Sequence, residues 1–127
     1  MHLPVRKIIL VMEQLMMELI RGGIYLVNFN PAKGGEIGKL RPAIIISDEE
    51  DNTILNTVIV IPLSTVIEKD ALPYRLLITA RDKLEKNCDA CIYEIRALSK
   101  IRVKAKLADL TASELGIIQN SFCQIIK

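Results

Sequence analysis

Short β-branched runs separated by short connections constrain the fold of this 127-residue chain more than any other feature. The runs are rich in Ile, Leu and Val, which favour strands, and the connections are too short to hold the helix of a parallel crossover. The predicted strands are Ile24–Phe29, Ala43–Ser47, Leu55–Pro62, Tyr74–Thr79, Cys91–Leu98 and Val103–Leu107. Strands of this length in one small domain predict a mainly β fold with a compact antiparallel barrel.

A helix is predicted on either side of the strands. Residues Val5–Ile20 have apolar side chains at three- and four-residue steps, and the pair of glycines that follows would end this helix. After the last strand, Thr111 and Glu114 have the spacing of a capping box that opens a second helix. The chain is therefore expected to consist of an N-terminal amphipathic helix, residues 1–20, and one domain, residues 21–127.

The N-terminal segment also bears on the location of the protein. Its Arg, Lys and Glu side chains interrupt the apolar sequence, which excludes a membrane span and the core of a signal peptide. The three cysteines are an odd number, which does not fit a framework of disulfides. These features predict a cytoplasmic protein that does not associate with membranes.

The formal net charge of +2 does not by itself indicate a nucleic-acid-binding protein, but the charges are unevenly distributed. Five cationic residues without an intervening acid lie between Ile95 and Ala108, whereas Asp48–Asn52 forms an acidic turn between the second and third strands. Either run is consistent with a solvated surface. If the cationic run binds a polyanion, the acidic turn is expected to point away from it.

The loop between the first two strands has the strongest functional signal. It contains three glycines, Lys33 and Lys39, and it ends at Arg41-Pro42. Glycine lets backbone N–H groups approach a ligand closely, and the planar arginine side chain matches phosphate oxygens. The loop is therefore predicted to bind phosphate, although it lacks the spacing of a nucleotide P-loop. Glu36, in the same loop, is either a general base or a solubilising side chain.

Two further pairs of polar residues lie at or near strand positions. Ser64 and Thr65 follow the apolar third strand, where their hydroxyls either donate to a phosphate oxygen or satisfy a turn. Glu94 and Arg96 alternate with an isoleucine in a predicted strand and are expected on one face of it. This pair is either a set of solvated neighbours or part of an RNA-binding groove.

The histidine and cysteine content excludes several kinds of catalytic site. The one histidine, His2, lies near the terminus, so neither a two-imidazole ribonuclease nor a Ser-His-Asp hydrolase is compatible with the sequence. Cys88 and Cys91 have metal-ligand spacing, but zinc needs four ligands and nothing in the sequence brings others nearby. We interpret the cysteines as structural and predict no metal or other cofactor.

Taken in chain order, these motifs resemble the MazF/PemK family of toxin endoribonucleases over about residues 19–127. The resemblance rests on the Gly-x-Glu-x-Gly-x-x-Arg-Pro loop, on Pro62-Leu63-Ser64-Thr65 at a strand end, and on Glu94-Ile95-Arg96. It implies an SH3-like antiparallel barrel of the CcdB/MazF type with a C-terminal helix. It also implies a homodimer, a cognate antitoxin whose disordered tail blocks the RNA groove, and metal-independent, sequence-specific cleavage of single-stranded RNA.

The resemblance also implies roles for particular residues. Arg41 matches the family's arginine before proline, Ser64 matches its hydroxyl residue with Thr65 adjacent, and Glu36 matches its loop glutamate. These four are the expected catalytic residues, for a reaction in which the RNA 2′-hydroxyl attacks the neighbouring phosphorus. The residues expected to contact RNA are Lys33, Gly35, Lys39, Phe29, Glu94, Arg96 and Lys100.

Two departures from the family pattern leave alternatives open. Tyr93 and Glu94 stand where the family commonly has a carboxylate and a glutamine, and an added carboxylate in the groove would weaken phosphate contacts. The family usually begins just before residue 21, so residues 1–16 are either an over-extension ahead of Met17 or a helix that must bury its apolar face. The alternative functions are a CcdB-like toxin that binds a protein such as gyrase, and an inactive regulatory relative.

Overall fold

The computed structural model describes residues 4–9, 17–29 and 39–127, and its main feature is a seven-stranded antiparallel sheet. The strands are β1 Gly23–Asn28, β2 Leu40–Ile45, β3 Thr57–Ser64, β4 Arg75–Ile78, β5 Cys88–Cys91, β6 Arg96–Ser99 and β7 Val103–Asp109. The helices are α1 at residues 5–9, α2 Glu49–Ile54 and α3 Ala112–Ile125, with 3-10 helices at Ile92–Glu94 and Lys100–Arg102. The prediction of a mainly β, antiparallel fold with a C-terminal helix is confirmed.

The central strand β3 changes its partner along its length. The strand order in the sheet is β4-β5-β3-β2-β1-β7. On one edge of β3, β6 pairs with the first half of the strand and β5 pairs with its last two residues. Backbone groups alternate between the two edges of a strand, and Ile46 N–H bonds to Ile59 O of β3. Pro62 therefore faces the edge shared by β5 and β6, at the point where one partner replaces the other. Because proline has no N–H, it fits a position where the ladder is interrupted.

Two apolar clusters cover the two faces of the sheet, because alternate residues of each strand point to opposite sides. The helix-side core packs against α3, and its buried members include Ile24, Ile44, Ile61, Leu63, Ile78, Ile92 and Ile118. The second core lies on the other face and contains Leu19, Tyr25, Val27, Ala43, Ile45, Val58, Val60 and Val103. The sheet is therefore stabilised from both sides by mainly aliphatic side chains, with Tyr25 as a buried aromatic member of the second core.

The N-terminal segment differs from the predicted helix Val5–Ile20. Residues 5–9 are helical and residues 17–20 are not, and the part between them lies outside the described residues. Leu19 is buried in the second core, and its carbonyl accepts a hydrogen bond from the Asn52 side chain at 2.9 Å. These contacts hold the end of the segment in a non-helical path. No helix in the ranges that the structure describes is long and apolar enough to cross a membrane.

The acidic segment Asp48–Asn52, predicted as a turn, instead opens the short helix α2. Asp48 is the N-cap, since its carboxylate accepts a hydrogen bond from Glu50 N–H, and three acidic side chains follow in the first turn. Their charges are favourable at the positive end of the helix dipole. The acidic run is therefore compatible with the start of a helix as well as with a solvated turn, and the structure has the helix.

The predicted strand Cys91–Leu98 is wrong, because the chain leaves the sheet in the middle of it. β5 ends at Cys91, a 3-10 helix follows, and β6 begins at Arg96. The interruption is necessary because β5 and β6 occupy successive positions on the same edge of β3. Glu94 ends the 3-10 helix, so Glu94 and Arg96 do not lie together on one strand face as predicted.

The predicted capping box at the start of α3 is present, and its glutamate also forms an ion pair. Glu114 accepts a hydrogen bond from the Thr111 backbone N–H at 2.8 Å, and both terminal nitrogens of Arg81 donate to its two oxygens. The hydrogen bond from Arg81 lowers the pKa of Glu114 below its ordinary value of 4.5. The carboxylate is therefore held in its charged form.

We expect Glu114 to make the stability of the fold depend on pH in the acid range. Because its folded-state pKa is lowered, its stabilisation is present above the ordinary carboxyl pKa and is lost as the pH falls through the folded-state value. Glu114→Gln is expected to reduce the free energy of unfolding near neutral pH by about 1.5–3 kcal/mol. It should also weaken the loss of stability on acidification. Urea denaturation at neutral and acid pH measures both effects, and an unchanged acid dependence in the variant would contradict the assignment.

Candidate functional site

Arg41 and Ser64 both lie two residues beyond the last pair of the β2–β3 ladder. Ala43 pairs with Pro62, and continuing this antiparallel register by two residues sets Arg41 opposite Ser64. Directly opposed residues of antiparallel strands have their side chains on the same face. Arg41 is exposed and Ser64 is half-buried, so a guanidinium and a hydroxyl are both accessible there.

The ladder between β2 and β3 ends just before these two residues. The β2 residues with even numbers direct their backbone groups toward β3, as the hydrogen bond from Ile46 N–H to Ile59 O shows. Pro42 belongs to this set and has no N–H, so it cannot extend the ladder beyond Ala43. Among the described pairs, none therefore joins the β2 and β3 strand ends that carry Arg41 and Ser64.

The hydroxyl of Ser64 is oriented by the backbone that follows it. Its Oγ accepts a hydrogen bond from Val66 N–H at 3.1 Å, which leaves the hydroxyl hydrogen available to another acceptor. Thr65 is exposed in the bend beyond the end of β3, so the strand register that opposes Ser64 to Arg41 does not extend to it. Of the two predicted hydroxyls, Ser64 is therefore the one that shares a face with Arg41.

Cationic side chains gather where the loop between β1 and β2 begins. The Arg96 guanidinium lies 4.5 Å from the centroid of the Phe29 ring, and Arg102 donates to Asn28 O at 3.3 Å. Lys39, at the other end of the loop, is exposed. Phe29 follows β1 and Arg96 belongs to β6, which do not pair, so their contact shows that the sheet curls. One face of the Phe29 ring is thus covered by an arginine.

The other predicted RNA-contacting residues are not all part of this group. Three of the predicted site residues lie outside the described part of the chain: Lys33, Gly35 and Glu36. Glu94 is exposed at the end of its 3-10 helix. Lys100 follows the β6 residue that pairs with Thr57, at the opposite end of β3 from Ser64. The seven steps between these β3 residues span about 23 Å at roughly 3.3 Å per residue, so the structure does not bring Lys100 to the candidate site.

The acidic helix α2 lies far from Arg41 and Ser64. It connects the end of β2 with the start of β3, whereas Arg41 and Ser64 lie at the opposite ends of these strands. Its carboxylates therefore do not repel an anion bound at the candidate site. This is the arrangement that the sequence predicts if a polyanion binds at the cationic end.

The paired cysteines have the properties of core residues. Cys88 and Cys91 are both buried in β5, and burial raises the pKa of the Cys91 thiol to about 11 and also raises the pKa of Cys88. Thiols with raised pKa values stay protonated near neutral pH, whereas the thiolate is the metal ligand and the nucleophile. Across residues 4–9, 17–29 and 39–127 there is no group of three or more His, Cys, Asp or Glu side chains arranged to hold a metal ion. His2 lies outside these ranges.

Asp89 and Arg75 form an ion pair beside the candidate site. No motif in the sequence predicts this pair. Asp89 Oδ2 lies 3.2 Å from Arg75 Nη1, and the Asp89 side chain is 1% exposed. Ser64 and Asp89 are register partners, so the pair is adjacent to the candidate hydroxyl. The signal in the sequence is the carboxylate between two cysteines of a buried strand, since a buried charge needs a partner.

Comparison with known proteins gives a consistent set of similarities. A family model described as PemK-like, MazF-like toxin of type II toxin–antitoxin system matches residues 20–126. The endoribonuclease MazF of Staphylococcus epidermidis is 34% identical over 102 residues, which cover 80% of this chain and 85% of that protein. The endoribonuclease MazF of Staphylococcus saprophyticus is 33% identical with the same coverage. In fold, the chain is similar to one from the MazE-MazF (Form-II) crystal structure of Deinococcus radiodurans. That match has a TM-score of 0.72 and 20% identity, over 87% of this chain and 96% of the other.

Proposed function

The chain belongs to the PemK-like, MazF-like toxins of type II toxin–antitoxin systems, and on this premise we propose that it is an endoribonuclease that cleaves single-stranded RNA beside Arg41 and Ser64. The observation that carries the assignment of these two residues is the register of β2 and β3, which supports a shared position for a guanidinium and a hydroxyl. The arginines beside Phe29 supply further positive charge for a phosphodiester backbone.

In the proposed reaction the 2′-hydroxyl attacks the adjacent phosphorus and the bond to the 5′-oxygen breaks. The products are a 2′,3′-cyclic phosphate and a 5′-hydroxyl end. Arg41 stabilises the negative charge that develops on the non-bridging oxygens, and the Ser64 hydroxyl donates to one of them. Glu36 accepts the proton of the 2′-hydroxyl, because an arginine does not deprotonate near neutral pH. The 5′-oxygen takes a proton from water. The scheme requires no metal ion, since the cationic side chain supplies the charge.

The flanking RNA is proposed to lie along the cationic end of the sheet. Lys39 and Arg96 hold neighbouring phosphates, together with Lys33 and the Gly35 amide of the loop before β2. Phe29 and Glu94 border the bases. Lys100 lies at the opposite end of β3 from Ser64. It therefore contacts an RNA bound at Ser64 only if that RNA extends along the whole length of β3.

The same premise supports proposals about partners. The Deinococcus radiodurans structure contains MazE together with MazF, and we propose that this chain likewise has a cognate antitoxin. Its disordered tail would occupy the RNA groove and so block cleavage. We further propose that the protein forms a homodimer and that it is located in the cytoplasm, where messenger RNA is present.

Incubation of the purified protein with a defined RNA in the presence of EDTA tests the proposed activity. We expect cleavage at a few short sequences, with 2′,3′-cyclic phosphate and 5′-hydroxyl ends identified by end mapping. DNA of the same sequence should remain intact, because it lacks the 2′-hydroxyl. A folded protein that leaves RNA intact with and without added divalent metal would overturn the proposal. Inhibition of gyrase by that protein would then support the CcdB-like alternative, and no effect on either target would support an inactive relative.

A further inference from the structure

Hydrogen bonds through Arg75 and the backbone of Val66 connect the buried carboxylate of Asp89 to the hydroxyl of Ser64. Asp89 Oδ2 accepts from Arg75 Nη1 at 3.2 Å and from the Glu68 backbone N–H at 2.8 Å. The same Arg75 nitrogen donates to the Val66 carbonyl at 2.9 Å. Val66 N–H in turn donates to Ser64 Oγ at 3.1 Å. One ion pair thus fastens the loop that follows β3 through both a backbone N–H and a backbone C=O.

These charged side chains belong to the face that carries the candidate site. Ser64 and Asp89 are directly opposed on β3 and β5, and Arg75 is opposed to Cys91, two residues along β5 from Asp89. By strand alternation all four side chains share one face. The loop after Ser64 therefore folds back over β5 and covers Asp89, whose side chain is 1% exposed.

Stability alone does not explain a charged pair at these positions. Burying a carboxylate carries a large desolvation penalty, and apolar residues of similar volume often stabilise such a position as well or better. The ion pair provides what apolar side chains cannot, namely directional, charge-assisted hydrogen bonds to the loop backbone. Asp89 and Arg75 therefore hold the loop in one conformation, and with it the amide that orients Ser64.

We propose that Asp89 and Arg75 are positioning residues that keep the Ser64 hydroxyl directed toward Arg41, an inference that rests on the proposed endoribonuclease function. A serine side chain has three staggered rotamers. The hydrogen bond from Val66 N–H selects one of them and leaves the hydroxyl hydrogen free to donate to a phosphate oxygen. Without the Asp89 carboxylate the loop loses the bond at Glu68 N–H, and Arg75 keeps only the exposed Glu68 carboxylate, 3.8 Å from its Nε, to hold it against Val66 O. The Ser64 hydroxyl then samples orientations that do not reach the phosphate.

Two substitutions at Asp89 test this role to different degrees. Asp89→Asn keeps the size of the side chain and one acceptor oxygen but removes the charge, and Asp89→Ala removes the anchor. We expect kcat to fall about 10-fold in Asp89→Asn and up to about 100-fold in Asp89→Ala, with KM within about threefold of the wild-type value. Amide hydrogen exchange at Val66 and Glu68 should accelerate in both variants. If Asp89→Ala fails to fold, the kcat and the amide hydrogen exchange of Asp89→Asn decide the proposal.

Glu114→Gln is the matched control. It breaks the other part-buried arginine–carboxylate pair, which Glu114 forms with Arg81 at the start of α3. It should lower stability as Asp89→Asn does, yet leave kcat and the exchange of the Val66 and Glu68 amides unchanged. A kcat loss in Glu114→Gln as large as that in Asp89→Asn would mean that kcat reports stability, and would overturn the proposal.

A double-mutant cycle separates positioning from a general loss of structure. In a Ser64→Ala background, Asp89→Asn is expected to change kcat by less than about twofold, because the group it positions is gone. Equal losses of kcat with and without Ser64, or unchanged exchange of the Val66 and Glu68 amides, would overturn the proposal. The exchange measurement needs no RNA. A wild-type protein that does not cleave RNA therefore refutes the proposed function, whereas unchanged exchange in an active enzyme refutes only the positioning network.

Discussion

Arg41→Ala is expected to slow single-turnover RNA cleavage by at least about 10²–10³-fold while the protein remains folded. Arg41 is exposed at the start of β2 and belongs to neither apolar core, so its loss removes no core packing. Continuing the β2–β3 register sets its guanidinium across from Ser64, where the proposed reaction develops charge on the phosphate oxygens. Cleavage assays with enzyme in excess over RNA measure the rate, and urea denaturation should give a midpoint close to that of the wild type.

Two further variants identify the reason for the loss. Arg41→Lys keeps the positive charge but not the planar fork, so we expect an intermediate loss of about 10-fold or more. Arg21→Ala is the matched control, because Arg21 is an exposed arginine at the opposite end of β2, where its Nε donates to Ile46 O. It should cleave RNA as fast as the wild type. Full activity in Arg41→Ala, or equal losses in Arg41→Ala and Arg21→Ala, would move the active site elsewhere.

Features that depend on nearby residues could be predicted from the sequence. β1, β3 and β7 lie within two residues of their predicted bounds. For β3 the reason is its run of β-branched residues, which have a strong preference for strands. The capping box of α3 was recognisable because both of its members lie within one turn. The family motifs likewise identified Arg41 and Ser64 as a pair of interest.

Features that depend on distant contacts could not be predicted. The path of residues 17–20 is set by Leu19 in the second core and by Asn52, which is 33 residues away in the chain. The break between β5 and β6 exists because both use one edge of β3, which no local pattern reveals. The hydrogen bonds of Asp89 form because β4 pairs with β5 and β5 pairs with β3, and neither pairing can be predicted from nearby residues. The sequence shows only a carboxylate within a buried strand.

Ser64→Ala is expected to lower kcat by roughly 10²-fold, whereas Thr65→Val should lower it by less than about twofold. Continuing the β2–β3 register sets Ser64 on the face of Arg41, and its Oγ accepts from Val66 N–H, which leaves the hydroxyl hydrogen available to another acceptor. Thr65 is exposed in the bend that follows β3, outside the strand register that opposes Ser64 to Arg41. Valine has the shape of threonine without the hydroxyl, so this variant removes the donor alone.

The comparison of these two variants decides which hydroxyl takes part in the reaction. Ser64→Ala also removes the acceptor for Val66 N–H, which is expected to cost about 1 kcal/mol of stability, so the rates must be compared at a temperature where both variants are fully folded. A larger loss in Thr65→Val than in Ser64→Ala would show that the bend after β3, rather than Ser64, supplies the hydroxyl that contacts RNA. In that case Ser64 would not contact the RNA even though it lies on the same face as Arg41. The hydrogen bonds of Asp89 would then stabilise the fold and would not position a group of the active site.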